Sequence, residues 1–223
     1  SAFVGFLQTH EQVGNRAFGE RITTLASPQA SAGATAILLL APSPPLLFMG
    51  EEHGATAPFL YFCDFGPELA AAVTQGRRRE FARFQRFSDP TAQARIPDPN
   101  DPDTFRRSRL DWDCLDRPPN AQVLAQYRQL LALRRCEIVP RLVGTTGGRA
   151  RWWTFGVAGL GVDWTLGDGS RLALRANLGP QQAGAVPPPT GRLIHRVGDE
   201  LGPRGDLPPW SGVWHLTEPQ ESG

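Results

Sequence analysis

Two short apolar runs that stop abruptly in polar and acidic residues constrain this chain more than any other feature. Residues 2–7 (AFVGFL) give way to Gln8, Thr9, His10, Glu11 and Gln12, and residues 45–49 (PLLFM) give way to Gly50, Glu51 and Glu52. A run of this length and composition suits a strand buried on both faces, as in a parallel sheet. Parallel α/β sheets and barrels open their ligand crevice at the carboxyl ends of the strands, so polar groups there sit on rigid backbone yet face a substrate. Between the runs, Ser27 is placed as a helix N-cap and Pro28 as the first helical residue, with QASAGATAILLLA following as the helix. Strand, loop, helix and strand in that order connect parallel neighbours by a right-handed crossover, which brings both strand ends to one side. Glu11 and Glu51 are therefore expected to share a rim.

Residue types alone leave two uses open for each polar cluster. A His–carboxylate pair after a strand suits ligand binding or proton transfer, and it equally suits satisfying backbone donors at a turn. A zinc-binding HExxH pattern needs a second His at position 14, which is Gly14, so no metal is implied; no cofactor is expected. Beyond Gly14, Asn15 favours a turn and Arg16 can fork onto a carboxylate or a sugar hydroxyl.

At 223 residues the chain is long enough for one domain of moderate size or two small ones. Its 23 basic residues, all Arg, nearly balance 22 acidic ones, so no nucleic-acid partner is expected. The densest basic cluster, Arg77, Arg78, Arg79, Arg83 and Arg86, falls on an amphipathic stretch and is expected to be a solvated face. The longest apolar stretch, residues 34–49, is interrupted by Pro42, Pro44 and Pro45, so no membrane span is expected either. Cys63, Cys114 and Cys136 lack CxxC pairing and suit free thiols in a reducing cytoplasm. The chain opens inside an apolar run and its one Met is Met49, which suits a fragment.

Residues 54–65 are aromatic and irregular, offering stacking faces or ordinary packing. A helix is expected from Pro67, with Leu69, Val73, Phe81 and Phe84 inward. The Asp-Pro-rich residues 88–119 read as an ordered excursion without regular structure; within it, Asp111 and Asp113 either bind sugar hydroxyls or serve a turn. Asn120 is placed as the cap of a helix carrying Val123, Leu124, Tyr127, Leu130, Leu131 and Leu133, with Arg134 and Arg135 complementing its dipole. Beyond Pro140 the pattern changes to five short runs between glycines, RARWWTFGV, GLGVDWTL, SRLALRANLG, RLIHRV and GVWHLTE, which predict a small antiparallel sandwich or partly open barrel. Its tryptophans either fill the core or offer a carbohydrate platform. The expected fold is α/β plus all-β, divided as residues 1–140 and 141–223.

Three segments, QTHEQVGNRAFGER, PPLLFMGEEHGATAPFLYFCDF and GRRREFARF, occur in an order and spacing that resembles the malto-oligosyltrehalose trehalohydrolases of the α-amylase clan. The resemblance covers nearly the whole chain but only the last part of the family's enzyme. It implies that residues 1–140 are the last strands and helices of a (β/α)8 barrel, that residues 141–223 are the clan's C-terminal β-sandwich, and that the missing upstream barrel segment is a partner. It implies hydrolysis, with retention, of the α-1,4 bond next to the terminal trehalose of maltooligosyltrehalose. The nucleophile and acid of the clan follow the fourth and fifth strands, so this chain alone is expected to be inactive. Glu11 matches the family's transition-state-stabilising carboxylate, an Asp there; His10, Gln12, Asn15, Arg16, Glu51 and Glu52 match substrate-contacting positions. His53 stands where the family usually has Trp, implying a lost aromatic contact. Competing readings are another clan member, such as a glucan-branching enzyme, and a non-catalytic carbohydrate-binding or interaction module. Two barrel strands without their neighbours leave an apolar edge, which favours self-association.

Overall fold

The computed structural model describes residues 3–184 and 186–219, so Ala2 of the first apolar run lies outside the described residues. Among the described residues seven α-helices precede five strands: α1 His10–Gly14, α2 Ile22–Leu25, α3 Pro28–Leu40, α4 Pro67–Ala82, α5 Pro90–Ala94, α6 Pro102–Arg107 and α7 Asn120–Leu133, then β1 Ala150–Phe155, β2 Gly159–Thr165, β3 Arg171–Asn177, β4 Arg192–Val197 and β5 Ser211–Thr217. By packing they form two compact units that interleave along the chain, one of Ser1–Leu7, Ala26–Leu46 and Ala125–Gly223, the other of Gln8–Leu25 and Leu47–Leu124.

The first unit is built on the sheet. All five glycine-bounded runs are strands, joined antiparallel in the order β1-β2-β3-β5-β4. Alternation along the strands divides the two faces: Val162, Leu172, Leu174, Trp214 and Leu216 are buried, while Arg151, Asp163, Arg171 and Arg175 carry the other face. Ser27 caps α3 as expected, its Oγ accepting from the Ala30 amide at 3.1 Å. The far end of α3 is closed from outside. Arg134, beyond α7, is buried and donates to the carbonyls of Leu39, Ala41, Pro42 and Ser43. A helix leaves its last carbonyls unsatisfied, and here one guanidinium with five donors meets that of Leu39 together with those of the cap and the two residues beyond it. Arg134 thus serves the end of α3, and Asn120 is the first residue of α7, its amide donating to the His53 carbonyl.

The two apolar runs do meet in parallel, at a single bridge between Gly5 and Pro45. The Gly5 amide donates to Pro44 at 2.9 Å and the Leu46 amide to Gly5 at 2.8 Å, and the ladder goes no further. Pro44 has no N–H to extend it in one direction. In the other, the Phe48 N–H is taken by the Glu51 carboxylate at 3.4 Å. Nor are the runs buried as expected: Phe3 is 81% exposed, Val4 54% and Phe6 45%. Burial on both faces needs cover on either side; Leu38 of α3 lies against Gly5, but Phe3, Val4 and Phe6 stay exposed.

The second unit corrects two further expectations. The Asp-Pro pairs of the excursion start helices instead of preventing them, because Pro fits the first helical position while Asp caps it. Asp89 accepts from the Thr91 and Ala92 amides to open α5, and Asp101 from the Asp103 amide to open α6. In α4 the inward stripe is Ala70, Val73, Arg77 and Phe81; Leu69 and Phe84 are exposed. Phe81 joins Ala17, Phe87 and Ile96 in a cluster against which Phe18 and Ala92 pack.

Candidate functional site

The first polar cluster folds as helix rather than loop. Thr9 adopts extended backbone and its Oγ1 accepts from the Gln12 amide at 3.3 Å, so α1 begins at His10 with Glu11 in its first turn. A carboxylate there suits the partial positive charge of a helix start. His10, Glu11, Gln12, Asn15 and Arg16 are exposed, and Arg16 pairs with Glu20 at 3.3 Å. Val13 and Gly14 supply the buried side, Gly14 lying against the Phe59 ring.

The second cluster is a 3-10 turn, Glu51–His53, entered through Gly50 at φ 85°. A Cβ at Gly50 would stand 2.6 Å from Leu110, so the turn requires glycine on both backbone and steric grounds. Glu51 does not stand on a rim: it is 3% exposed, and its carboxylate turns back to the Phe48 amide. Glu52 is half-buried, its Oε1 3.2 Å from Nδ1 of His53. His53 is fully buried, with its ring 5.8 Å from Trp112. His53 thus packs an imidazole beside an indole within this turn's surroundings.

Two buried arginines tie these pieces together. Arg21 is 1% exposed and donates from Nε to Ala57 at 2.7 Å and from Nη1 to Met49 at 2.8 Å, its guanidinium 5.0 Å from the Phe48 ring. Burial lowers its pKa, while the charges of Glu52 and Glu51 work in the opposite direction. Arg77 donates to the carbonyls of Gly14 and Arg16, at 2.9 and 2.8 Å, and so ties down the backbone just after α1. Its pKa too is lowered by burial, opposed by the charges of Glu80 and Tyr61. Phe59 lies between the two groups, touching Gly14 and meeting Phe48 edge-on at 5.1 Å.

Sequence reasoning misses both anchors. Arg21 lies in a featureless loop, and the run of arginines reads as a solvated face, although the position of Arg77 four residues before Phe81 on the helical stripe is a signal for burial. The aromatic loop packs as well as exposing edges: Phe62 meets Phe59 and Phe105, and Tyr61 lies under Arg77. Asp111 serves a turn, accepting from the Asp113 amide at 3.0 Å. Cys63, Cys114 and Cys136 are free thiols, and among the described residues no helix is long and apolar enough to cross a membrane.

A family described as "Domain of unknown function (DUF3459)" matches residues 147–214. The malto-oligosyltrehalose trehalohydrolase of Arthrobacter ramosus is 49% identical over 133 residues, 59% of this chain and 22% of that protein. That of Deinococcus radiodurans is 37% identical over 184 residues, 79% of this chain and 30% of that protein. The chain thus spans less than a third of the length of these curated relatives. A crystal structure from Salmonella typhimurium, provisionally described as an alpha amylase, superposes with a TM-score of 0.87 at 37% identity, covering 97% of this chain and 35% of that one. The isomaltulose synthase of Erwinia rhapontici, at 14% identity and a TM-score of 0.57 over 97% of this chain and 43% of that one, shares the fold. In its helices, its antiparallel sheet and its sequence, the chain is similar to a C-terminal portion of the malto-oligosyltrehalose trehalohydrolases.

Proposed function

We propose that this chain is the sugar-contacting C-terminal part of a retaining glycosidase that hydrolyses the α-1,4 bond next to the terminal trehalose of maltooligosyltrehalose, releasing trehalose in the cytoplasm. The observation that carries the reading is α1, which holds His10, Glu11 and Gln12 exposed on a short helix capped by Thr9 and followed by backbone tied down by Arg77. In such a site Glu11 stabilises positive charge developing on the sugar ring, while His10, Gln12, Asn15, Arg16 and Glu52 hold hydroxyls. Glu51 acts from beneath, holding the turn that presents Glu52. Residues 1–140 carry these contacts, and residues 141–223 form the accompanying β domain. The reacting pair comes from an upstream barrel segment that also covers Phe3, Val4 and Phe6; without it the chain self-associates through that apolar edge.

The test is an assay of the purified full chain with maltooligosyltrehalose, together with the coding sequence upstream of Ser1. No trehalose release above a buffer blank is expected, with an in-frame barrel upstream bearing an Asp and a Glu at its fourth and fifth strand ends. Release by the chain alone, or an in-frame stop codon directly upstream, overturns the proposal.

A further inference from the structure

The charged face of the sheet carries a cleft that the glycosidase reading does not use. Three adjoining cavities of about 350, 400 and 220 Å³ share Asp163 as a common wall. Around that single carboxylate stand Arg149, Arg151, Arg171 and Arg175. Strand register explains the gathering, since Arg151 pairs with Asp163, Thr165 with Arg171 and Gly161 with Arg175, all on one face.

One carboxylate does not neutralise four guanidinium groups. Arg175 donates to Asp163 at 2.7 Å and Arg171 at 3.3 Å, which accounts for that acid. Among the described residues, neither Arg149 nor Arg151 has an ion-pair partner, and both are exposed. Arg175 is held rigidly: its side chain is 9% exposed, it also donates to the Leu174 carbonyl at 2.8 Å, and its Nε is buried without a partner. Guanidinium forks match the oxygens of phosphate-type anions, and a fixed fork forfeits less entropy on binding than a mobile one.

The cleft also has an apolar wall. Trp153 lies across β2 at Gly161, where a Cβ would stand 2.3 Å from the indole, and the Arg175 guanidinium is 4.4 Å from the ring centroid. Val186 and Pro187 continue the wall. Cations beside an indole and a proline suit a small molecule with an oxyanion at one end and a ring face at the other.

We propose that the Arg151–Asp163–Arg175 cleft of the β domain binds a phosphate-type oxyanion, with Arg149, Arg151 and Arg171 meeting its oxygens and Trp153 flanking whatever carries it. The two sources of this chemistry are free phosphate and a sugar phosphate. The assignment stands on the charge and shape of this face alone, independent of the glycosidase reading.

The test titrates the full chain with inorganic phosphate, glucose 6-phosphate and glucose at constant ionic strength, following tryptophan fluorescence and thermal midpoint. Saturable responses to the two phosphates and none to glucose are expected. Tighter binding of glucose 6-phosphate identifies a sugar phosphate; equal binding identifies free phosphate, and both uphold the oxyanion site. Arg151→Ala, an exposed change, should weaken binding roughly tenfold or more while leaving the fold intact by circular dichroism. If that variant loses its fold, Arg171→Gln carries the same expectation. No saturable response to either phosphate, an equal response to glucose, or unchanged affinity in a folded variant overturns the proposal.

Discussion

On the proposed function, Glu11 is the residue on which the chemistry turns. The resemblance implies Asp at this position; the additional methylene of Glu moves the carboxylate by about 1.5 Å, and a misplacement of about 1 Å costs on the order of a hundredfold in rate. Restoring the shorter side chain with Glu11→Asp in a complete enzyme background should therefore raise kcat by ten- to a hundredfold, roughly, with KM changing less. Kinetics on maltooligosyltrehalose checks this, and no gain means that α1 already places the longer acid correctly. A second residue-scale prediction concerns His195, whose ring lies 5.4 Å from Trp214 with Nε2 buried and unpartnered. Burial lowers its pKa from the ordinary 6.5. The unfolded chain then takes the proton first on acidification, so the stability tied to the neutral ring is full above pH 6.5 and is lost as pH falls through the folded value. In His195→Gln the thermal midpoint should fall less steeply below pH 6.5 than in the parent. Identical profiles would show that His195 does not carry the effect.

At the scale of elements, legibility followed local chemistry. The Ser27–Pro28 start of α3 and all five strands were readable because a cap, a proline and glycine-bounded alternation are local signals. Elements that depend on distant groups were not. The Phe48 amide, free by sequence to extend a parallel ladder, is captured by Glu51, and the acid expected at a rim becomes the reason the strand stops. Arg21 and Arg77 were illegible for the same cause, since carbonyls far along the chain decide where a buried guanidinium goes. Asp89 and Asp101 were misread for another: Asp-Pro prevents a helix from continuing but is well suited to starting one. Arg134 is the long-range element most open to test. Arg134→Met removes the donors on four carbonyls at the end of α3, and should destabilise the chain by about 3 kcal/mol or more. Urea denaturation reads this directly; a loss under about 1 kcal/mol would mean that water replaces the guanidinium.

On the proposed function, the molecule as a whole supplies sugar contacts to chemistry carried by an upstream segment. Phe3, Val4 and Phe6 are exposed, and the proposed function takes His10, Glu11 and Glu52 as sugar ligands that work with an upstream nucleophile. The family could be inferred because QTHEQVGNR and FMGEEH are contiguous motifs; the charged cleft could not, because its members are brought together only by the register of three strands. The most direct measurement exchanges this chain for the corresponding segment of the Arthrobacter ramosus relative, 49% identical over the matched residues, and assays the chimera on maltooligosyltrehalose. Trehalose release that is abolished by His10→Ala is the predicted result. A folded chimera that binds maltooligosaccharide yet releases no trehalose, or one indifferent to the loss of His10, would contradict the account.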